Sequence, residues 1–222
     1  MTDRLPLFPL GVVLFPSMLL PLHIFEDRYR RLMRDRQNAS PMFGVVLTKR
    51  GNAVGDRPEI HRVGCAAEMI GAGRYPDGRY DLIVRGGRRF QVRSEEWSAG
   101  YLTGEVDWLA EPLGSTSEST ELDSLTDDAL RVYDQFLGAF ERMAETEVPR
   151  EELPEDPIEL AYALCARAPL DAWELQRLLE WPTARDRLLD IRRLLRRERD
   201  LLTTTGIGGA TLTRPGISFT AN

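Results

Sequence analysis

The sequence predicts an α+β protein in which a strand-rich half precedes a helical half, and three observations carry that expectation. The most apolar stretch, LPLFPLGVVLFPSMLLPLHIF over residues 5–25, is interrupted by Pro6, Pro9, Pro16 and Pro21. Short runs with a two-residue alternation follow as far as residue 109. Beyond a Ser/Thr/Gly/Pro-rich segment, the apolar spacing changes to three and four.

The proline run cannot be a spanning helix, because that needs about 20 apolar residues in uninterrupted helical conformation. It also has no basic start and no small-residue cleavage site, so it does not read as a secretory signal. Prolines at this spacing permit short extended pieces, expected at Leu5–Phe8, Val12–Phe15 and Leu19–Ile24. Phe25 to Arg36 then reads as a helix with Phe25, Tyr29, Leu32 and Met33 on one face. MFGVVLTK (42–49) and Val63–Met69 read as strands. YPDGRY (75–80) has Pro, Asp and Gly in the order of a tight hairpin turn. Tyr80, Leu82 and Val84 continue it against Asp81 and Arg85. Gly86–Gly87 predicts a second reversal into Arg88–Arg93, and Tyr101–Leu109 is the last strand before the boundary.

EPLGSTSEST (111–120) has linker composition. The expected organisation is a β domain over 1–110, this linker, a helical domain over 121–202 and a flexible tail over 203–222. Leu122, Leu125, Ala129, Val132, Phe136, Phe140 and Met143 mark a long amphipathic helix. Asp156-Pro157 supplies an N-cap and a proline at the first helical position. Asp171 and Glu174 form a capping box, flanked by Leu170 and Leu175 as a hydrophobic staple. Pro182 ends that helix, and Thr183 and Asp186 open another that runs to about Leu202. Within the tail, ISFT (217–220) is strand-like and is expected to lie against a β domain, this chain's or a neighbour's, where a substrate strand would lie.

Charge is uneven. Residues 1–110 carry 16 basic and 13 acidic side chains, residues 111–159 carry 3 and 15, and residues 160–222 carry 10 and 7. The acidic middle and the net charge of −6 argue against a dedicated nucleic-acid binder. The four soft ligands, Cys65, Cys165, His23 and His61, fall on separate elements with no C-x-x-C. Buried free thiols are therefore expected, with no metal and no cofactor. All but one of the basic residues are arginine. A Walker A loop and a Ser-Lys dyad would each need a lysine, and Lys49 is the only one in the sequence, in LTKRG. GIGGAT (206–211) neither follows a strand nor opens a helix, which leaves it without the context of a phosphate loop.

The proline run, FGVVL, Val63-Gly64, PDGRYDL and GGRRF, together with ELQRLLEWPTARDRLLDIRRLLRRE, resemble the N-terminal substrate-binding domain of the Lon (La) ATP-dependent protease family over about residues 5–202. The resemblance implies a PUA-like β pseudo-barrel followed by a C-terminal four-helix bundle. It also implies a module that recognises unfolded or extended polypeptide, which the single lysine leaves non-catalytic and the scattered thiols place in a reducing cytoplasm. With no ATPase or peptidase motif in the chain, the expectation is a stand-alone protein of this kind, working beside a separate protease or chaperone.

Candidate peptide-binding residues are apolar or aromatic side chains in or near the irregular region: Phe15, Pro16, Met18, Leu19 and Tyr29, with Tyr75 and Tyr101 as neighbours. An open sheet edge offers a second mode, strand addition. Phe25, Leu32 and Phe90 are expected in the core. The alternative function is RNA binding by fold analogy, through Arg85, Arg88, Arg89 and Arg93. The arginine run Arg192, Arg193, Arg196, Arg197 and Arg199 reads as a solvated face, or as a docking surface for weak, salt-sensitive self-association.

Overall fold

The structure is a computed structural model that describes residues 2–37, 41–50, 57–98, 100–112, 119–205 and 219–220. The chain divides into two units, one of residues 1–110 with 216–222 and one of residues 111–215.

The first unit is a mixed sheet. Its strands are β1 (Thr2–Leu10), β2 (Leu19–Ile24), β3 (Met42–Arg50), β4 (Glu59–Arg74), β5 (Tyr80–Ser98), β6 (Tyr101–Trp108) and β7 (Phe219–Thr220), with helix α1 (Asp27–Gln37) between β2 and β3. Strand order is β4-β3-β1-β6-β5-β2-β7, and β4 also pairs with β5, so five strands close on themselves and β2 extends the sheet from β5. β1 is parallel to β3, through Leu7–Leu10 against Gly44–Leu47, and antiparallel to β6. β7 pairs in parallel with β2, Phe219 opposite Leu22. Of the ISFT segment, Ile217 and Ser218 lie outside the described residues.

Period-two alternation explains the core. One cluster gathers Phe8, Leu20, Leu22, Ile24, Leu82 and Val84 beneath Tyr29, Leu32 and Met33 of α1. A second gathers Leu5, Leu7, Val46, Phe90, Val92 and Val106. The 75–80 segment is the expected tight turn, with Gly78 at φ +88 and its N–H donating to the Tyr75 carbonyl at 3.0 Å.

Two sequence expectations are corrected. Val12–Phe15 is coil rather than strand, half-buried at Val12 and buried from Val13 to Phe15, and no reversal occurs at Gly86–Gly87, where β5 runs straight through. One contact explains both. The coil returns across β5 through Ser17 N–H to the Gly86 carbonyl and Gly86 N–H to the Met18 carbonyl, both at 2.8 Å. A Cβ at Gly86 would lie 1.9 Å from the Phe15 carbonyl oxygen. That glycine permits a close backbone crossing, not a turn. Phe25 is half-buried, whereas Leu32 and Phe90 are fully buried.

The second unit holds α2 (Ser119–Ala144), α3 (Pro157–Arg167), α4 (Ala172–Glu180) and α5 (Ala184–Thr205). Its caps follow from the sequence. Asp156 accepts from the Ile158 and Glu159 N–H groups at 3.0 Å, Asp171 from Glu174 N–H at 2.8 Å, and Thr183 Oγ1 from Asp186 N–H at 3.0 Å. α2 buries Leu122, Leu125, Ala129, Val132 and Phe136, but Phe140 is half-buried and Met143 exposed. The segments 113–118 and 206–218, which include most of the expected linker and tail, lie outside the described residues.

Among the buried groups of this unit is a charge. The Arg187 guanidinium lies 4.0 Å from the centre of the Tyr162 ring and donates to the carbonyls of Leu178 at 3.1 Å and Trp181 at 2.7 Å, near the end of α4. Its Nη2 lies 4.0 Å from Glu111, which also accepts the Tyr162 hydroxyl.

Candidate polypeptide-binding surface

β2 alternates strictly. Leu20, Leu22 and Ile24 go to the core, so Leu19, Pro21 and His23 take the outer face. In the antiparallel register with β5 they stand opposite Arg85, Ile83 and Asp81. On the other side of β5, Gly71 of β4 stands opposite Ile83 and Gly73 opposite Asp81. Leu19 is 55% exposed, Ile83 48%, and Ile70, at the irregularity between Met69 and Gly71, 44%. Three large aliphatic side chains thus stand in water on neighbouring strands, where polar residues would be expected on a solvated face. The glycines leave the third strand low, and a groove of about 440 Å³ runs between Pro21, Gly71, Gly73 and Ile83.

One end of the groove is polar. His23 Nδ1 lies 2.6 Å from Asp81 Oδ1, and the Tyr75 hydroxyl donates to the other carboxylate oxygen. An ionised carboxylate only accepts, so Nδ1 carries the proton. Bonds from His23 and then Tyr75 hold the Asp81 carboxyl below the usual carboxylate range, and the same bond raises the Tyr75 hydroxyl. The His23 ring stacks on Phe25 and meets Tyr75 edge-on, each with centroids 6.2 Å apart. The result is an apolar floor with a fixed polar end.

The sequence candidates divide on this geometry. Leu19 and Tyr75, which is 40% exposed, sit on the outer face, and Pro16 and Met18 are half-buried in the coil leading into it. Phe15, Tyr29 and Tyr101 are corrected, because all three are buried. Phe15 lies under the Gly86 crossing, Tyr29 packs 4.1 Å from Phe8, and the Tyr101 hydroxyl donates to Asp35 at 2.9 Å. Sequence reasoning passed over Ile83, Ile70, Pro21 and the His23–Asp81 pair. A signal for Ile83 was present: an isoleucine at the polar position of an alternating strand.

The arginines proposed for RNA do not form one face. Arg89 is buried, Arg93 pairs with Asp107, and Arg88 lies over the Trp108 ring. The α5 run finds ion-pair partners within its own unit. Arg192 and Arg196 reach Asp128, Arg197 reaches Glu174 and Glu198, and Arg193 reaches Asp190. Cys65 and Cys165 are both free and buried, and burial pushes the Cys165 thiol up to about 12. Among the described residues, no group of three or more His, Cys, Asp or Glu side chains is placed to hold a metal ion. Nor is any helix among them long and apolar enough to cross a membrane.

A mixed sheet unit with an apolar outer groove, followed in the chain by a capped helical unit, defines a domain suited to recognition. Its lineage is specific. The chain belongs to the ATP-dependent protease La (LON) substrate-binding domain family, whose profile matches residues 4–197. It is 27% identical over 185 residues to Lon protease 2 of Syntrophobacter fumaroxidans, covering 81% of this chain and 22% of that protein. The chain spans about a quarter of the length of the curated relatives it matches. Two solved structures share the fold. A Lon N-terminal domain protein from Xanthomonas campestris superimposes with TM-score 0.56 at 24% identity, over 85% of this chain and 96% of that one. The N-terminal domain of Mycobacterium avium complex Lon protease gives 0.61 at 20%, over 87% and 98%.

Proposed function

We propose that this chain is a cytoplasmic, non-catalytic module that recognises unfolded or extended polypeptide through the outer face of β2, β5 and β4, with a PUA-like pseudo-barrel carrying the site and a four-helix bundle behind it in sequence. The observation that carries the reading is the exposed aliphatic set Leu19, Ile83 and Ile70 on neighbouring strands, with Ile83 lining a groove that has a fixed polar end. Burying those side chains under a partner's apolar residues stabilises a complex without demanding a particular sequence, as a substrate-binding domain requires. Family membership supports the same reading, with a separate protease or chaperone as recipient of the bound chain.

The test is fluorescence-polarisation binding to a reduced, unfolded polypeptide, its folded counterpart and a single-stranded RNA. Preference for the unfolded chain with little salt dependence is expected, and Leu19→Asp with Ile83→Asp should weaken it by about tenfold or more. Equal affinity for the folded protein, or an undiminished affinity in the double variant, defeats the proposal.

A further inference from the structure

Helix α1 carries a charge arrangement that its own stability does not explain. Its buried stripe is Tyr29, Leu32 and Met33; Arg30, Arg31 and Arg34 stand outside that stripe, and Arg28, bridged to Glu26 at 3.0 Å with its side chain 14% exposed, lies at its edge. Arg28 and Arg31, and Arg31 and Arg34, are three apart, and Arg30 and Arg34 are four apart, spacings at which like charges destabilise a helix. Arg28 and Arg30 also stand in the first turn, beside the positive end of the helix dipole. Glu26 and Asp27 offset part of that repulsion, and a helix that still gathers this many like charges beside one groove marks a candidate functional surface.

The surface is concave. α1, the β4–β5 turn and the β5–β6 turn enclose a groove of about 540 Å³, to which Arg74 adds a fifth guanidinium. Asp27, bonded to Arg30, is the one acid lining it among the described residues. Both turns present glycine where the arginines pass. Gly78 and Gly100 have φ +88 and +89, and a Cβ there would lie 3.2 Å from Arg30 Nη1 and 3.1 Å from Arg31 Nη1. Arg30 Nη1 is held by the Asp77 carbonyl at 2.9 Å.

We propose that this groove binds an acidic stretch of polypeptide, with successive Asp or Glu carboxylates meeting successive guanidinium forks. The inference is independent of the apolar surface proposed above. Three observations select the ligand. Arginine, unlike lysine, grips a carboxylate with two parallel bonds and stays charged at any physiological pH. From residue 28 to residue 34 the helix rises about 9 Å. That spreads the charges along a line and fits a chain of carboxylates better than a single compact oxyanion. Tyr80, the aromatic ring on the groove wall, is 1% exposed with Arg74 across its face at 5.9 Å, so it offers no platform for stacking a nucleobase.

The experiment uses the full chain with labelled oligo-glutamate, oligo-glutamine of equal length, and single-stranded oligouridylate of equal charge, each at low and high salt. Oligo-glutamate alone should bind, more weakly as salt rises. Arg31→Gln/Arg34→Gln/Arg74→Gln should weaken it about tenfold or more, while the matched control Arg57→Gln/Arg62→Gln/Arg88→Gln changes it less than about twofold. Arg31→Lys/Arg34→Lys/Arg74→Lys, which keeps the charge and the fold but loses the forks, should fall between parent and glutamine variant. Oligouridylate binding as tightly as oligo-glutamate, oligo-glutamine binding equally well, or an equal loss in the control would overturn the proposal. These outcomes leave the unfolded-polypeptide test with the Leu19 and Ile83 variants untouched, so the two readings fail separately.

Discussion

On α5, Arg192 and Arg196 converge on Asp128 of α2 at 2.6 and 2.9 Å, and Arg197 is held between Glu174 and Glu198. On α1, four arginines line a groove that holds one acid among the described residues. Both helices are rich in arginine, with five in the 11 residues of α1 and seven in the 22 of α5, yet α5 reaches carboxylates on other helices of its unit whereas Arg28 and Arg30 of α1 pair with the near neighbours Glu26 and Asp27 and the set lines a groove. Basic side chains are read by their partners, not by their count, and the partners here come from elements far apart in the chain. Cohesion also differs between the units. The sheet unit depends on close backbone crossings and aliphatic layers, and the helical unit depends on caps, an arginine–carboxylate network and one buried guanidinium.

The sharpest way to break that contrast is Gly86→Ala. The new methyl group would collide with the Phe15 carbonyl oxygen, and a backbone atom cannot step aside as a flexible side chain does. A destabilisation of about 3 kcal/mol is expected, read as lost hydrogen-exchange protection in residues 2–108 with residues 119–205 spared. Loss of protection in the helical residues alone would reverse the assignment. Arg187→Met is the mirror experiment. It leaves the Leu178 and Trp181 carbonyls without their donor and should lower the helical unit's stability by about 2–3 kcal/mol, with the sheet unit's exchange unchanged.

Acid should separate the units next. In the helical unit, Arg150 and the Val148 N–H draw the Glu141 carboxyl down from 4.5 to about 2, and Arg192 and its neighbours lower Asp128. A depressed folded-state pKa means that the carboxylate stabilises the fold fully above its unfolded value. That contribution is lost as pH falls through the folded value, here between about 4.5 and about 2. Asp128, lowered from its ordinary value of 3.8, loses its contribution only at still lower pH, so Asp128→Asn should flatten the helical unit's acid melt below about 3.8 and lower its neutral-pH stability by about 1 kcal/mol, as measured by urea titration. A steeper acid melt in the variant would contradict it. The smallest effect on stability is expected at the proposed binding surface. Leu19→Ser should alter the melting of either unit by less than about 0.5 kcal/mol while weakening polypeptide binding, and a large loss of stability would mean that Leu19 is structural.

Much of the fold was legible where causes are local. Asp156-Pro157, Asp171 with Glu174, and Thr183 with Asp186 each specify a helix start within four residues, and all three sit where the caps require. Leu19–Ile24 and the Tyr75–Tyr80 turn were legible for the same reason, alternation in one and turn chemistry in the other. Val12–Phe15 and Gly86–Gly87 misled because each has its meaning only in the other. An apolar run was predicted as strand and a glycine pair as a turn, but together they form a backbone crossing between Gly86 and the coil around Ser17, 69 positions apart. The binding surface was half legible. Leu19 and Tyr75 stand exposed on the proposed face, but aromatic character alone also nominated Phe15, Tyr29 and Tyr101, which fill the core. Which face an aromatic takes depends on the strand or helix packed over it, and single-sequence alternation does not report that neighbour.

The pairing of β1 with β6 brings Thr2–Leu7 against Leu102–Asp107. On a ribosome, β1 is therefore made well before this neighbour and is among the last strands of the sheet to find it. At about 5–20 residues per second, roughly 5–20 s of synthesis separate the two. During that interval one edge of β1 has no native strand beside it, and the nascent chain is itself an extended, partly apolar polypeptide awaiting capture.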